Sequence, residues 1–274
     1  MEVFCPESTA PRMQQKLRER GAKVHVSGKN WNEADESARK VLAMDSSALY
    51  VPPFDHPEIW EGHSTIVDEL VHDFEVGNFG KPDVIAVSVG GGGLLRGIQI
   101  GLKRLGWADT VSILAVETSG TASYCAAVNA GKPVRLNSIT SIATSLGALQ
   151  VIPSVLDPDT HTISVVVDDY DAIQACVDFA DDNRVLVEPA CGASLAVMVP
   201  HVLSKWMPTV LNRKQVGLDC SIDNKVDNNK SGLNARKDAL RVVIVVCGGN
   251  SVSVDMLTAW RTQILQQTQT QTPQ

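Results

Sequence analysis

An α/β fold built on a mostly parallel sheet, flanked by helices, is what this sequence predicts, and three features predict it. Short Val/Ile-rich runs alternate with amphipathic stretches along the 274 residues. The most apolar runs, VIAVSV at 84–89 and VVIVVC at 242–247, are continuous rather than alternating, the pattern of strands buried on both faces. Four consecutive glycines, Gly90–Gly93, stand between one such run and a helical pattern.

In chain order, Val3–Cys5 predicts a strand and Pro11–Arg20 a helix that starts at Pro11 and stops at Gly21. Lys23–Val26 predicts a strand, Asn32–Ala43 a helix, and Ala48–Val51 a return to β structure. Ile66, Val67, Leu70, Val71 and Phe74 share one face at helical spacing. Strand Val84–Val89, helix Leu94–Leu105 and strand Val111–Glu117 follow. Then come strand His161–Val167 and helices Tyr170–Ala180 and Ala193–Lys205. Arg241–Cys247 predicts the most apolar strand, and Val252–Gln266 a closing helix capped by Ser251. The polar segment Asn212–Lys237 reads as a surface loop, and the tail from residue 266 as unstructured.

Composition excludes several classes. Net charge is −7 with no basic tract, so neither nucleic acid nor an anionic membrane finds a footprint. The strongest apolar run is too short to span a bilayer, and the N-terminus shows no targeting segment. Six cysteines are scattered without CxxC spacing, which predicts reduced thiols in the cytosol rather than zinc or a disulfide framework. The six histidines stand in no triad or HExxH context.

Three strand ends carry candidate chemistry. Glycines at 90–93 let backbone N–H groups converge on an anion, aided by the positive end of the next helix. A tight turn is the alternative, although four glycines exceed what a turn needs. The pattern is neither GxGxxG nor a P-loop, so it suits a phosphorylated cofactor better than a dinucleotide. Glu117 ends a strand and is either a cation ligand, an acid/base or a cap for the following helix. Cys247 ends another, as a weak hydrogen-bond partner for a ring nitrogen or as a small core residue.

Several motifs together resemble one family. YVPPFDHPEIWEGHSTIVDEL (50–70), SVGGGGLLRGIQIGLKRLGW (88–107), AVETSGTASY, ITSIATSLGA, VLVEPACGASLA and VVIVVCGGN are similar, in order, to stretches of the eukaryotic L-serine dehydratases (L-serine ammonia-lyases). The resemblance runs from the first strand to about Trp260. It implies the fold-type II architecture of the tryptophan-synthase-β-like enzymes that use pyridoxal 5′-phosphate (PLP). It implies that Gly90, Gly91, Gly92 and Gly93 hold the PLP phosphate and that Cys247 borders the pyridine nitrogen. It implies a monovalent-cation (K+) site at Gly90, Glu117, Thr121, Leu146 and Ala148; Thr121 stands where the family often has Ala. "IWEGH" and "VCGGN" argue against a cysteine synthase. The implied activity is β-elimination of L-serine, with L-threonine a second substrate, to a keto acid and ammonia. The setting it implies is amino-acid catabolism and gluconeogenesis in the cytoplasm, and the assembly a homodimer.

One departure is expected to matter. The family's Schiff-base lysine and its Ser/Ala-Gly-Asn-Ala-Gly loop have no counterpart in these residues; Lys16, Lys23, Lys29, Lys40 and Lys81 lie in other contexts. By the resemblance, residues 1–47 form a partial small domain, 48–266 the large PLP-binding domain and 267–274 a disordered tail. The expectation is an N-terminally truncated, inactive chain, with a non-catalytic binding subunit as the alternative.

Overall fold

The computed structural model describes residues 1–218 and 239–271. Two parallel sheets organise them. The first pairs β1 (Glu2–Cys5) with β2 (Lys23–Val26), joined by α1 (Pro11–Glu19) and followed by α2 (Trp31–Met44). Asn30 caps α2 by accepting from the Glu33 amide at 3.1 Å, while the Glu33 carboxylate accepts from the Lys29 amide at 2.9 Å. This reciprocal pairing satisfies amides that a helix start leaves open.

The second sheet has the order β5-β4-β3-β6, every neighbour parallel. It comprises β3 (Val84–Ser88), β4 (Ser112–Thr118), β5 (Thr162–Val167) and β6 (Val242–Ile244). Side chains alternate across it. Val84, Ala86, Leu114 and Val116 join one core with Val165, Val167, Ala172 and Trp206. Ile85, Val87, Ile113 and Ala115 join the other with Val67, Leu95 and Ile98. Both faces are therefore covered, which is why these strands read as unbroken apolar runs. The covering helices are α3 (Pro57–Gly77), α4 (Gly93–Arg104), α5 (Ser123–Ala130), α6 (Asp169–Asn183), α7 (Pro189–Leu195), α8 (Pro200–Leu218) and α9 (Val254–Gln271). No helix among the described residues is long and apolar enough to cross a membrane.

Several expectations are corrected. Residues 48–51 are not β: Leu49 and Val51 are exposed and meet no partner strand, and β propensity without a neighbour makes no ladder. The helix expected at Ala193–Lys205 is broken. α7 runs into a short 3-10 turn at Ala196–Met198, and Pro200 forces Val199 into extended backbone (ψ 132°) before α8 begins. The strand at 241–247 is shorter, since regular pairing ends at Ile244 and one further bond, Val245 N–H to the Ala86 carbonyl at 2.9 Å, marks the parting of the chains. The cap of α9 is Ser253, whose hydroxyl accepts from the Met256 amide at 3.3 Å, not Ser251. Residues 212–218 and 266–271 are helical rather than loop and tail, and the remainder of those two expectations lies outside the described residues. The helix after Glu117, expected without bounds, is α5.

α3 and α4 pack closely because α4 carries glycines at 97 and 101. A Cβ at Gly101 would stand 2.6 Å from Val67 Cγ2 and 2.8 Å from the Ser64 carbonyl, and one at Gly97 would stand 2.8 Å from the Trp60 carbonyl. Gly62, on α3, faces open space. Gly101→Ala should therefore cost about 1–3 kcal/mol through overpacking, whereas Gly62→Ala should gain about 0.5–1 kcal/mol of helix stability. Denaturant unfolding of both variants checks the opposite signs.

Candidate functional site

Because β3, β4 and β6 are parallel, their carboxyl ends open on one rim, where open α/β sheets place their sites. The tetraglycine loop leaves β3 there. Gly92 turns it with φ +101° and serves as the N-cap of α4, a conformation an L side chain rarely adopts. The backbone N–H groups of residues 90–95 find no acceptor among the described residues. Converging donors at a helix start form an anion site.

The reason each position must be glycine is partly different from the one expected. At Gly91 and Gly93 a Cβ would run into Phe54, 2.5 Å from its carbonyl oxygen in the case of Gly93. At Gly90 it would stand 3.2 Å from Leu146 Cα, and at Gly92 2.7 Å from Val155 Cγ1. Protein crowds the loop from several sides, so these glycines answer to packing as well as to a ligand. Phe54 is itself fixed by Trp60, whose indole N–H donates to the Phe54 carbonyl at 2.8 Å, and by Trp31, whose ring lies 4.8 Å away, centroid to centroid.

Glu117, fully buried near the end of β4, accepts from the Tyr124 amide at 2.7 Å and from the Cys125 amide at 2.8 Å. It caps α5. Burial pushes its carboxyl up to about 7, against the opposing pull of these amides. Beside it, the buried Thr118 and Thr121 hydroxyls lie 2.8 Å apart, and Thr118 reaches Ser141 at 2.7 Å. Leu146 lies against Gly90, and its carbonyl accepts from the Ala148 amide at 2.8 Å.

Cys247 lies three residues beyond β6, exposed, on the same rim as the glycines. The turn that follows it is held from two sides. Lys16 donates to the Asn250 carbonyl at 3.0 Å and Arg12 to the Val252 carbonyl at 3.1 Å, while the Glu188 amide donates to the Gly248 carbonyl at 3.0 Å. The α1 contacts carried no signal in the sequence. Cys191, which meets Gly248 at 3.4 Å, lies in the quoted VLVEPACGASLA motif and was not singled out. His161 contacts the Ser112 hydroxyl at 2.9 Å, a Ser–His contact not expected from the sequence. It sits at the amino ends of β4 and β5 beside a cavity of about 270 Å³ lined by Lys81, Asp109 and Arg213, on the opposite rim.

A family model described as "Pyridoxal-phosphate dependent enzyme" matches residues 1–209. A mouse protein named "Serine dehydratase-like" is 37% identical over 96% of this chain and 71% of its own length. The human "L-serine dehydratase/L-threonine deaminase" is 38% identical over 96% of this chain and 72% of its own. The crystal structure of a fungal L-serine ammonia-lyase from Rhizomucor miehei superposes with a TM-score of 0.76 at 32% identity, covering 96% of this chain and 74% of that one. Maize serine racemase, at 21% identity and TM-score 0.69, shares the fold. The chain belongs to the pyridoxal-phosphate dependent enzymes, and among them to the serine dehydratases. Its α/β architecture is the fold-type II one of these neighbours.

The residues present fit that cofactor on one observation of this structure. A phosphate needs several N–H donors, and residues 90–95 offer unengaged ones at a helix start. The capping geometry of Glu117 gives a separate expectation. Glu117→Gln should cost about 1–3 kcal/mol, because its amide group leaves one buried N–H without an acceptor. Faster hydrogen exchange at the Tyr124 and Cys125 amides, together with a lower melting temperature, would register the loss.

Proposed function

We propose that this chain is built on the L-serine ammonia-lyase plan, the β-elimination of L-serine to pyruvate and ammonia, with L-threonine a second substrate, and that its own part in it is to bind PLP. The carrying observation is the set of unengaged amides at residues 90–95 on the carboxyl rim of the sheet. When bound, PLP supplies an electron sink for the substrate α-carbon. Gly90, Gly91, Gly92 and Gly93 hold its phosphate, and α4 adds the favourable end of its dipole. Cys247 takes the place beside the pyridine nitrogen. A neutral thiol is a weak hydrogen-bond partner that leaves this nitrogen largely unprotonated. In the same reading, residues 1–47 belong to a small domain and the residues from 48 onward to the cofactor domain, in a cytoplasmic homodimer.

These 274 residues contain no lysine in the family's Schiff-base context. Among the described residues Lys16 reaches the rim turn, and it is engaged with Asn250. PLP is therefore held without a covalent bond, and the chain alone does not turn over serine. A positioned base is worth roughly 10²–10⁴-fold, and the covalent step is absent as well. The alternative, a binder with no role in the chemistry, shares this absence of a Schiff-base lysine and predicts the same PLP binding.

A monovalent cation, K+ by preference, is proposed at Gly90, Glu117, Thr121, Leu146 and Ala148, mostly through carbonyl oxygens, the ligands a hard cation takes. Exchanging K+ for a bulky organic cation should then lower the melting temperature of the native chain but not that of Glu117→Gln. Equal shifts would remove the cation from this site. For the principal reading, the chain is mixed with PLP, reduced with borohydride and mapped, while pyruvate release from serine is followed. Saturable PLP binding displaced by inorganic phosphate is expected, with neither a stoichiometric phosphopyridoxyl-lysine nor turnover. One stoichiometric adduct together with turnover would show that another lysine does the work.

A further inference from the structure

Cys191 has no part in the reading above, yet the fold delivers it to Cys247. The sequence separates the two by more than fifty positions, and two elements close the gap. α7 starts at Pro189 and presents Cys191 in its first turn, buried to 3% exposure. The chain leaving β6 folds back over that turn. The Gly248 carbonyl accepts from the Glu188 amide at 3.0 Å and from the Cys191 thiol at 3.4 Å, and the Ser251 amide donates to the Glu188 carboxylate at 3.4 Å. Gly249 presses on the Leu186 carbonyl with no room for a Cβ. The 247–251 turn is thus clamped to the 186–191 segment by its backbone, which sets the Gly248 carbonyl against the Cys191 sulfur and so brings Cys247, the residue before it, alongside Cys191.

We propose that Cys191 and Cys247 are a modification site, a thiol pair that hydrogen peroxide closes into an intrachain disulfide on the cofactor rim. The balance is simple. One S–S bond forms while two S–H bonds and the O–O bond break; peroxide takes two electrons and both thiol protons and leaves as two waters. Cys247 is exposed, so a small oxidant reaches the pair. The neighbouring Cys247 side chain, with the Gly248 and Cys247 backbone, holds the Cys191 thiol below its usual range against the opposing effect of burial. Cys191 is the more readily ionised sulfur but is buried, and Cys247, held up by its Cys191 neighbour and by burial, is the one peroxide reaches, so the pair divides the roles of ionised and accessible thiol.

Cys176 is the competing partner, and the structure disfavours it. It is fully buried, its thiol donates to the Glu188 carbonyl at 3.3 Å, and burial pushes it up to about 12. It therefore stays a thiol with no path to the oxidant.

The disulfide turns the Cys247 sulfur toward Cys191 and removes its hydrogen. The effect on PLP rests on the reading of Cys247 as the residue beside the ring, whereas formation of the disulfide does not. Two measurements on the whole chain keep these apart. After peroxide treatment, digestion without reduction should yield a peptide joining Cys191 to Cys247, lost on addition of dithiothreitol. A Cys176–Cys191 peptide, or Cys191 still open to alkylation after Cys247 has been consumed, would overturn the proposal. PLP titration of the reduced and oxidised chain should show an affinity drop of about tenfold on oxidation, the size of one lost hydrogen-bonding interaction. Cys191→Ala and Cys191→Ser should bind PLP like the parent and show no drop. A cross-linked chain with unchanged affinity would keep the disulfide and remove its consequence. A reduced chain that binds no PLP would instead remove the proposed function and leave the disulfide standing.

Discussion

The parallel pairing of β3 with β4 on one side and β6 on the other is the constraint on which the rest depends. It alone puts the tetraglycine loop, Glu117 and Cys247 at the same end of the sheet, though they come from three distant parts of the chain. The pairing is fixed at its amino end by Asp83. Its carboxylate accepts from the Arg241 amide at 2.7 Å, and the Asp83 and Val84 amides donate to the Arg241 carbonyl at 2.9 and 3.2 Å. A slip of one residue would send Val84 and Ala86 to the wrong core.

A second constraint concerns where polar groups are left open. Glu117 is buried deeply enough to raise its pKa, and it is tolerated because α5 starts directly over it. The amides of α5 are thereby answered from within the protein, while those at the start of α4 are not. The two helices begin on the same rim with opposite needs, one already supplied with an anion and the other lacking one. This contrast, rather than the glycine count, is what singles out α4 as the receiving end.

Much of the fold was legible because buried parallel strands need β-branched runs on both faces. β2 was bounded by sequence to the residue, and β3 and β4 nearly so. What failed did so for local reasons. Leu49 and Val51 have strand chemistry but no neighbour to pair with, and Pro200 ends a periodic pattern that otherwise continues. α5 spans only eight residues, Tyr124 and Ala127 among those buried, too short for a periodicity to register. In the site, strand-end residues were visible because their position follows from the run they terminate. Phe54 over the glycines, Lys16 on Asn250 and Cys191 beside Cys247 were not visible. Each depends on segments brought together only by the complete topology, and one sequence carries no trace of such pairings.

Phe54 has a mechanical consequence. Its ring touches Trp31 at the start of α2, its carbonyl is held by Trp60 of α3, and its bulk bears on Gly91 and Gly93. α3 in turn is keyed into α4 at Gly97 and Gly101. The loop is therefore braced from two directions by a single aromatic wedge. Rocking of the two-stranded layer against the larger sheet would move Trp31 and, through Phe54, bear on the open amides. The stiffness of the anion seat is thus set by a residue that offers it no hydrogen bond.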